Sequence, residues 1–304
     1  MILTITLNPA VDKTVHTDSL LIGQVNRLKN VAEYPGGKGI NVTRILRTLG
    51  GNVIAMGFVG GYNGTFIEEK VKECGAETSF TRIKGISRVN TNIIGGDGYV
   101  TELLDPGPVV NEEERSLFWT QYCENLAKVD VVVISGSNPG GISDEFYVSL
   151  IREAKARGKK TIVDACSYSL RVAVKEKPYM IKPNIKELEF LVGKKIRTIE
   201  ETVRQADELV QSGITTVVVS MGNKGFIHVS DVLKERVKVP KVQVVTTVGC
   251  GDAMVAAYAY GYDNGLSDDD IIKYAKAASV ANTLELESGV LNNDKLKELL
   301  SEGN

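Results

Sequence analysis

The stretch Val245-Thr246-Thr247-Val248-Gly249-Cys250-Gly251-Asp252-Ala253-Met254 joins an apolar, β-like run to the start of a small-residue helix. Glycines let successive backbone N–H groups turn toward one point, and the N-terminus of a helix stabilises an anion there. The pattern therefore predicts an anion hole at Gly249, Cys250 and Gly251, with Asp252 beside it as a candidate base. The alternative is a tight strand-to-helix turn in which Asp252 only caps the helix.

A second glycine-rich stretch, Pro35-Gly36-Gly37-Lys38-Gly39-Ile40-Asn41-Val42, lies about 210 residues earlier, just before a predicted helix. Gly36 and Gly37 let the backbone approach a ligand closely. Lys38 supplies a positive charge and Asn41 both a donor and an acceptor, which suits a polyhydroxyl or phosphorylated compound. The alternative is a glycine-rich helix start with a solvated lysine. The P-loop pattern G-x-x-x-x-G-K-[ST] is absent.

Composition excludes several classes of protein. The 304 residues carry 36 Lys and Arg against 38 Asp and Glu, a formal net charge of -2, so no basic field exists to hold nucleic acid or an anionic membrane. Four separated cysteines form no zinc or C-x-x-C pattern, which favours a reducing compartment, and two histidines leave little material for triads. No apolar run approaches the roughly 20 residues that cross a bilayer. We therefore expect a cytoplasmic protein with no nucleic acid or membrane partner.

Downstream of residue 36, helical periods alternate with short β-branched runs, which predicts an α/β fold with a mostly parallel sheet and helices on both faces. The segments 12–35 and 87–106 instead show strand alternation without helices. They predict a small antiparallel sheet outside the main one, serving as a lid or a dimer interface. No repeat or linker interrupts the chain, which favours one domain over residues 1–304. The clearest predicted strands are Val53–Val59, Val129–Ser135, Thr161–Asp164, Tyr179–Lys182 and Thr215–Ser220.

The two glycine-rich stretches together resemble the paired signature of the ribokinase-like, or PfkB, carbohydrate kinases. Gly36-Gly37-Lys38-Gly39-x-Asn41 is similar to the N-terminal element, and Gly249-x-Gly251-Asp252 to the C-terminal one. The resemblance implies a three-layer α/β/α fold in which Asp252 deprotonates a sugar hydroxyl while the anion hole stabilises the moving phosphoryl group. It covers essentially the whole chain and includes Thr6–Asp12, Ile134–Ser137, Ile181–Leu188 and Val219–Gly225.

The resemblance also implies that ATP and Mg²⁺ are the cofactors. Lys182 and Asn184 match the region that acts on the nucleotide phosphates, and Glu187 matches the residue that acts on Mg²⁺ through water. The alternative for Glu187 is an exposed residue of the first helical turn. Cys250 stands where the family commonly has alanine, either as an inert thiol or as a redox switch if the helix start lowers its pKa. Further nucleotide-side positions implied by the resemblance are Ser220, Gly222, Gly225 and Asn282.

On the acceptor side, Asp12 follows a strand end and is implied to bind sugar hydroxyls, with a turn cap as the alternative. Ser87-Arg88-Val89-Asn90 resembles the R-x-N element of the phosphofructokinase branch, which acts on sugars that are already phosphorylated. The planar fork of Arg88 fits a phosphate, although an exposed lid arginine is the alternative. Ser137 and Lys38 would complete this pocket.

This resemblance implies that the chain transfers phosphate from ATP to the C6 hydroxyl of fructose 1-phosphate, giving fructose 1,6-bisphosphate, as a homodimer joined through the lids. Tagatose-6-phosphate kinase, making tagatose 1,6-bisphosphate, is the alternative: the spacing of Arg88 and Asn90 favours the former, but the stretch 285–290 is slightly more like the latter. A non-catalytic sugar-phosphate sensor is disfavoured by the intact Asp252. An NAD-dependent oxidoreductase is disfavoured because no G-x-G-x-x-G follows the first strand.

Overall fold

The computed structural model describes residues 1–96, 100–165 and 167–301. Residues 97–99, which belong to the second predicted lid segment, lie outside the described residues, as do Cys166 and 302–304. The described strands are β1 (Ile2–Thr6), β2 (Ala10–Thr17), β3 (Asn30–Gly36), β4 (Val53–Val59), β5 (Glu77–Thr78), β6 (Thr81–Arg82), β7 (Arg88–Gly95), β8 (Val100–Leu103), β9 (Val131–Ser135), β10 (Lys160–Asp164), β11 (Met180–Ile181), β12 (Thr216–Ser220), β13 (Phe226–Ser230) and β14 (Lys234–Val237). The described helices are α1 (Lys38–Thr48), α2 (Gly61–Glu73), α3 (Glu112–Leu126), α4 (Asp144–Ala156), α5 (Ser167–Lys175), α6 (Ile185–Val192), α7 (Ile199–Gln211), α8 (Cys250–Asp263), α9 (Asp268–Asn282) and α10 (Asn293–Ser301), with a 3-10 turn at Gly222–Lys224.

Ten strands form the main sheet, in the order β14-β13-β12-β11-β10-β9-β1-β4-β5, with β6 paired to β4. In the described part of the chain, its pairings are parallel except for β12–β13 and β13–β14. The mostly parallel sheet is thus confirmed. The five strands predicted most clearly are also confirmed, with ends that lie within two residues of the predicted ones. Their near-continuous apolar runs are typical of strands that are covered on both faces.

Alternate residues of the central strands pack into two separate cores. Val131 and Val133 of β9 belong to one core with residues of α1, α8 and α9, whereas Val132 and Ile134 belong to the other with residues of α3, α4 and α7. Because successive side chains of a strand point to opposite faces, this division places helices on both sides of the sheet. The predicted three-layer α/β/α architecture is confirmed.

A separate four-stranded sheet has the order β3-β2-β7-β8 and is built from the two segments predicted to form the lid. Both outer pairings are antiparallel, but the central β2–β7 pair is parallel, with Ala10 opposite Arg88 and Asp12 opposite Asn90. The central pair is parallel because β2 follows β1 and β7 follows β6, and these two belong to the parallel part of the main sheet. Asp12 and Asn90, two acceptor residues predicted from sequence, are therefore directly opposite each other, and Arg88 lies two residues before Asn90 on the same strand.

The β-like run before Gly249 is not a strand, contrary to the prediction. The N–H groups of Val245 and Thr246 both point at one carbonyl, that of Thr283, at 2.8 and 3.3 Å. A strand needs a ladder of partners, and a single carbonyl at the end of α9 provides none. The segment is a loop that fixes the start of α8. Among the described helices, none has the length and apolar composition required to cross a membrane.

Candidate functional site

Asp252 lies in the first turn of α8, is 5% exposed, and accepts a hydrogen bond of 2.8 Å from Asn41 Nδ2. The helix begins after Gly249, whose φ of 85° is left-handed and favours glycine. The two glycine-rich stretches therefore meet at the contact between Asn41 and Asp252. Burial raises the pKa of Asp252 to about 6, assisted by the charge of Asp164 and opposed by Lys38 and Asn41. A carboxylate of this kind is ionised at neutral pH and can accept a proton.

This pKa predicts a pH dependence that Asn41 controls. We expect kcat/KM to rise with pH through an acid limb near pH 6 as Asp252 loses its proton. Because the hydrogen bond from Asn41 lowers the pKa of Asp252, Asn41→Ala should move that limb to higher pH. A sugar phosphate also titrates near pH 6, but its own limb cannot move in the variant. Identical limbs in both proteins would contradict the assignment to Asp252.

A buried carboxylate that sequence analysis missed, Asp164, joins two of the predicted lysines. Lys38 Nζ donates to Asp164 Oδ1 at 3.1 Å, and Lys182 Nζ lies 3.4 Å from the same oxygen. The Asp164 side chain is 0% exposed; burial alone would raise its pKa, but the two ammonium groups lower it. The signal was present in the sequence, because Asp164 ends a buried parallel strand, where open α/β folds place their ligands.

Lys38 is surrounded by acidic groups. Burial alone would lower the pKa of Lys38, but Asp164 and Asp252, with a smaller contribution from Glu187, raise it above its ordinary value. The group therefore stays protonated. Lys182 completes the charged cluster: a Cβ added at Gly251 would lie 3.0 Å from Lys182 Nζ, so this ammonium group stands at the start of α8.

The start of α8 presents the amides of the predicted anion hole. The first N–H groups of a helix have no intrahelical partner, and here Ala253 N–H is the first to bond within the helix, to Gly249 O at 2.8 Å. Cys250 N–H reaches Thr247 O only at 3.4 Å. Burial, followed by the charge of Asp252, raises the pKa of the Cys250 thiol to about 11. A redox switch requires a lowered thiol pKa, whereas the pKa of Cys250 is raised, which argues against a switch.

Three predicted acceptor residues lie close together on the small sheet: Asp12, Arg88 and Asn90. Asn90 Nδ2 donates to Asp12 Oδ1 at 3.0 Å, and burial raises the pKa of Asp12 in spite of Asn90 and Arg88. Gly36 is tightly constrained, because a Cβ there would lie 2.1 Å from the Asp12 carboxyl carbon. Gly37, with a φ of 102°, is the N-cap of α1. The carboxylate of Asp12 is therefore held between Asn90 on the adjacent strand and the glycine-rich stretch.

Arg88 Nε donates to Asn8 O at 3.2 Å and its Nη1 to Asp105 O at 2.9 Å. Burial lowers its pKa, which Asp12 and Asp105 oppose. Ser137 is exposed, in the loop that follows β9.

The predicted nucleotide side is assembled from neighbouring loops. Asn184 and Glu187 cap α6 reciprocally, since Asn184 N–H donates to Glu187 Oε2 at 2.8 Å and Glu187 N–H donates to Asn184 Oδ1 at 3.0 Å. Ser220 pairs with Asn184 in an isolated bridge. Gly222 and Gly225 flank the following turn, and a Cβ at Gly225 would lie 1.9 Å from Val237 O.

Asn282 packs against the turn that begins α8. It is fully buried, donates to Val290 O at 3.2 Å, and its Oδ1 would be 2.7 Å from a Cβ at Gly249. It therefore supports Gly249 from behind, and its implied place on the nucleotide side stays a prediction.

The donor set at Asp164 and Glu187 fits Mg²⁺, a hard cation that takes oxygen ligands and keeps several waters. Asp164 Oδ2 is buried and has no hydrogen-bond partner among the described residues. In the same part of the chain, no group of three or more His, Cys, Asp and Glu side chains could hold a metal. Any Mg²⁺ here would therefore depend on water and substrate oxygens as well.

Comparison with known proteins agrees with this geometry. Residues 3–294 match the sequence profile of the pfkB family carbohydrate kinases. Tagatose-6-phosphate kinase of Staphylococcus epidermidis is 36% identical over 99% of this chain and 98% of its own. Phosphofructokinase-2 from Escherichia coli, solved with substrates and products, superposes with a TM-score of 0.92 at 29% identity, covering 99% of this chain and 98% of that one. A Thermotoga maritima protein described as a "possible 1-phosphofructokinase" superposes with a TM-score of 0.89 at 29% identity, covering 99% of this chain and 97% of that one.

The family match spans nearly the whole chain, and the two glycine-rich stretches on which the resemblance rested meet at the contact between Asn41 and Asp252. The chain therefore belongs to the pfkB family of carbohydrate kinases.

Proposed function

We propose that this carbohydrate kinase transfers the terminal phosphoryl group of ATP to the C6 hydroxyl of fructose 1-phosphate. One observation carries the kinase chemistry: a buried Asp252, held by Asn41, stands in the first turn of a helix beside the Lys38–Asp164–Lys182 cluster. Phosphoryl transfer depends on positioning and charge stabilisation, and this arrangement supplies both. We also propose that residues 1–304 act as one domain, with the small sheet as its lid.

In this proposal Asp252 accepts the proton of the attacking hydroxyl as its oxygen bonds to the terminal phosphorus of ATP, and the bond from that phosphorus to the bridging oxygen breaks to release ADP. The amides of Gly249, Cys250 and Gly251 stabilise the charge on the moving phosphoryl group. Lys38 and Lys182, both held by Asp164, balance negative charge around it. Mg²⁺, when bound near Asp164 and Glu187, would neutralise charge on the nucleotide phosphates.

Arg88 supports an acceptor that already carries a phosphate. Its two hydrogen bonds leave from Nε and Nη1 to backbone carbonyls, and its Nη2 has no partner among the described residues. A guanidinium anchored in this way can still donate to a phosphate. Asn90, two residues later on the same strand, and Asp12, on the adjacent strand, would bind the sugar hydroxyls.

We expect Arg88→Ala to raise the KM for the sugar phosphate about 10–100-fold, the cost of one charge-assisted hydrogen bond or two, with the KM for ATP nearly unchanged. Steady-state kinetics with each substrate varied in turn measures this. Arg82→Ala is the matched control, because Arg82 pairs with Glu68 on the surface. Equal effects on both substrates would indicate a role in lid closure or folding instead.

The acceptor is tested by coupled ADP release with fructose 1-phosphate, tagatose 6-phosphate, fructose 6-phosphate and the unphosphorylated sugars. We expect the highest kcat/KM with fructose 1-phosphate. Tagatose 6-phosphate is the second candidate, favoured by the curated relative at 36% identity. A higher kcat/KM with that sugar would select the second candidate. Binding of these sugars without turnover would instead identify a non-catalytic sensor.

We propose that two copies of the chain associate through the small sheet. Exposed apolar side chains concentrate on this sheet and on the loop between β2 and β3, where Ile22 is 93% and Val25 83% exposed. Exposed patches of this kind mark interaction surfaces. Escherichia coli phosphofructokinase-2 has been solved as a tetramer in its inhibited form, so larger assemblies occur among similar proteins. The other members of the patch are Leu20, Leu21, Leu28, Val31, Val100, Leu103 and Leu104.

Ile22→Asp combined with Val25→Asp should convert the dimer to a monomer, because two charges would be buried without partners. Light scattering after size exclusion gives the mass, and Val232→Asp, at an exposed apolar side chain outside the lid, is the control. A monomeric wild-type protein, or a double variant that stays dimeric, would contradict this interface.

A further inference from the structure

Arg44 lies one turn after Asn41 on α1 and contacts the loop 287–289, which is distant in sequence. Its Nη1 donates to Ser288 O at 3.0 Å, and its Nη2 forms an ion pair with Glu287. Both side chains are largely buried, at 14% and 24% exposure. A planar guanidinium that binds a carbonyl and a carboxylate together fixes direction as well as distance. The clamp therefore sets where the loop 287–289 lies against α1.

The loop 287–289 fills the space between α1 and the start of α8. A Cβ at Gly249 would lie 3.1 Å from Ser288 Cβ and 3.3 Å from Gly289 N. On its other side, a Cβ at Gly289 would lie 2.9 Å from Asn41 Oδ1 and 3.0 Å from Asn41 Cα. Gly289 itself is buried and has a φ of 79°. The loop thus touches both the turn that begins the anion hole and the residue that holds Asp252.

The conformation of Gly249 decides where the first amides of α8 point. Its φ of 85° and ψ of -11° are left-handed, and glycine by itself does not hold one conformation. Here it is held from behind by Asn282 Oδ1 and from the side by Ser288 and Gly289. Of these supports, the loop 287–289 is the one tied to another element by an ion pair.

We infer that Arg44 is a positioning residue for the anion hole: by clamping Glu287 and Ser288 it holds the loop 287–289 against Gly249 and fixes the direction of the amides that stabilise the moving phosphoryl group. Among the described residues, Arg44 has no side-chain hydrogen bond or ion pair with Asp12, Arg88 or Asn90, which are proposed to bind the sugar. Its loss should therefore lower kcat and leave the KM for the sugar phosphate unchanged, since misplacement by about 1 Å can cost roughly 10²-fold in rate. This inference rests on the proposed kinase function.

The test compares variants at Arg44 with a control on the same helix. We expect Arg44→Ala to lower kcat about 10–100-fold with the KM for the sugar phosphate within about 2-fold of wild type. Arg44→Lys, which keeps a charge for Glu287 but loses the fork, should show an intermediate loss. Arg47→Ala is the matched control, since Arg47 also donates to a backbone carbonyl, that of Gly51, which lies beside Tyr260 near the C-terminal end of α8 and not at its start. Unfolding midpoints of the Ala variants, compared in parallel, separate stability from positioning.

Glu287→Gln tests the clamp from its other end. In the Arg44→Ala background it should add little further loss of kcat, because the two residues act through one contact. Matching kcat values for Arg44→Ala and Arg47→Ala, or a rise in sugar KM without a fall in kcat, would overturn the inference. All assays use the sugar on which the wild-type protein turns over, with Asp252→Asn alongside. If Asp252→Asn alone is inactive, the kinase proposal stands whatever happens at Arg44.

Discussion

Asp252→Asn is expected to lower kcat by about 10²–10⁴-fold, the usual contribution of a general base. The amide cannot accept the hydroxyl proton at neutral pH, whereas its size and its hydrogen bond to Asn41 can be retained. Steady-state ADP release, with sugar and ATP saturating, measures the effect. Asp263→Asn at the far end of α8 is the matched control, because Asp263 contacts the N-terminal amino group and lies away from the site.

The stability of Asp252→Asn should match or exceed that of wild type above pH 6. Burial raises the pKa of Asp252 from 3.8 to about 6, so the folded protein binds a proton more tightly there than the unfolded chain does. Stability from this group therefore falls as pH rises from about 4 to 6, and the substitution removes that loss. Unchanged turnover in a folded Asp252→Asn protein would remove the proposed base.

Asp164→Asn is expected to reduce the free energy of unfolding by roughly 3–5 kcal/mol, the cost of removing one partner from a buried ion pair. Lys182, only 5% exposed, would keep a charge with no carboxylate at Asp164 to balance it. The variant should also lose activity, because Lys38 and Lys182 are both held by this carboxylate. Urea unfolding monitored by circular dichroism gives the stability change.

The double variant Asp164→Asn with Lys182→Met provides the comparison. It should recover part of the lost stability, because neither member of the Asp164–Lys182 pair then remains as a charge, but it should not recover activity. A loss below about 1 kcal/mol in the single variant would mean that Lys182 is solvated or paired elsewhere, and that Asp164 is not the centre of the cluster.

The glycine-rich stretches and the sheet were predictable because their signals are local. Gly249 and Gly37 need left-handed backbone at helix starts, and the β-branched runs need burial on both faces. Asp12 and Asn90 were also found as a set, but only through the resemblance. Their contact depends on the parallel pairing of β2 and β7, which joins residues 78 positions apart.

The roles of Asp164 and Asn282 were harder to predict from the sequence, because they depend on neighbours that are distant along the chain. Asp164 meets Lys38 across 126 positions, and a single aspartate at a strand end does not name its partners. Asn282 was assigned to the nucleotide side through the resemblance, and its packing behind Gly249 is visible only in the structure. The run before Gly249 was wrongly predicted to be a strand. Its composition is typical of a strand, but among the described residues no neighbouring strand pairs with it.

The parallel β2–β7 pair keeps the residues that would select the sugar apart from the residues that would carry out phosphoryl transfer. Residues that would select the sugar lie on the small sheet, whereas Asp252 and Lys38 lie on α8 and α1, which pack on the main sheet, and Lys182 follows its strand β11. Exchanging the side chains at Asp12, Arg88 and Asn90 would therefore change the preferred sugar without disturbing the chemistry of transfer. Sugar preference would then diversify through substitutions on the small sheet, while the residues packed on the main sheet stay constant.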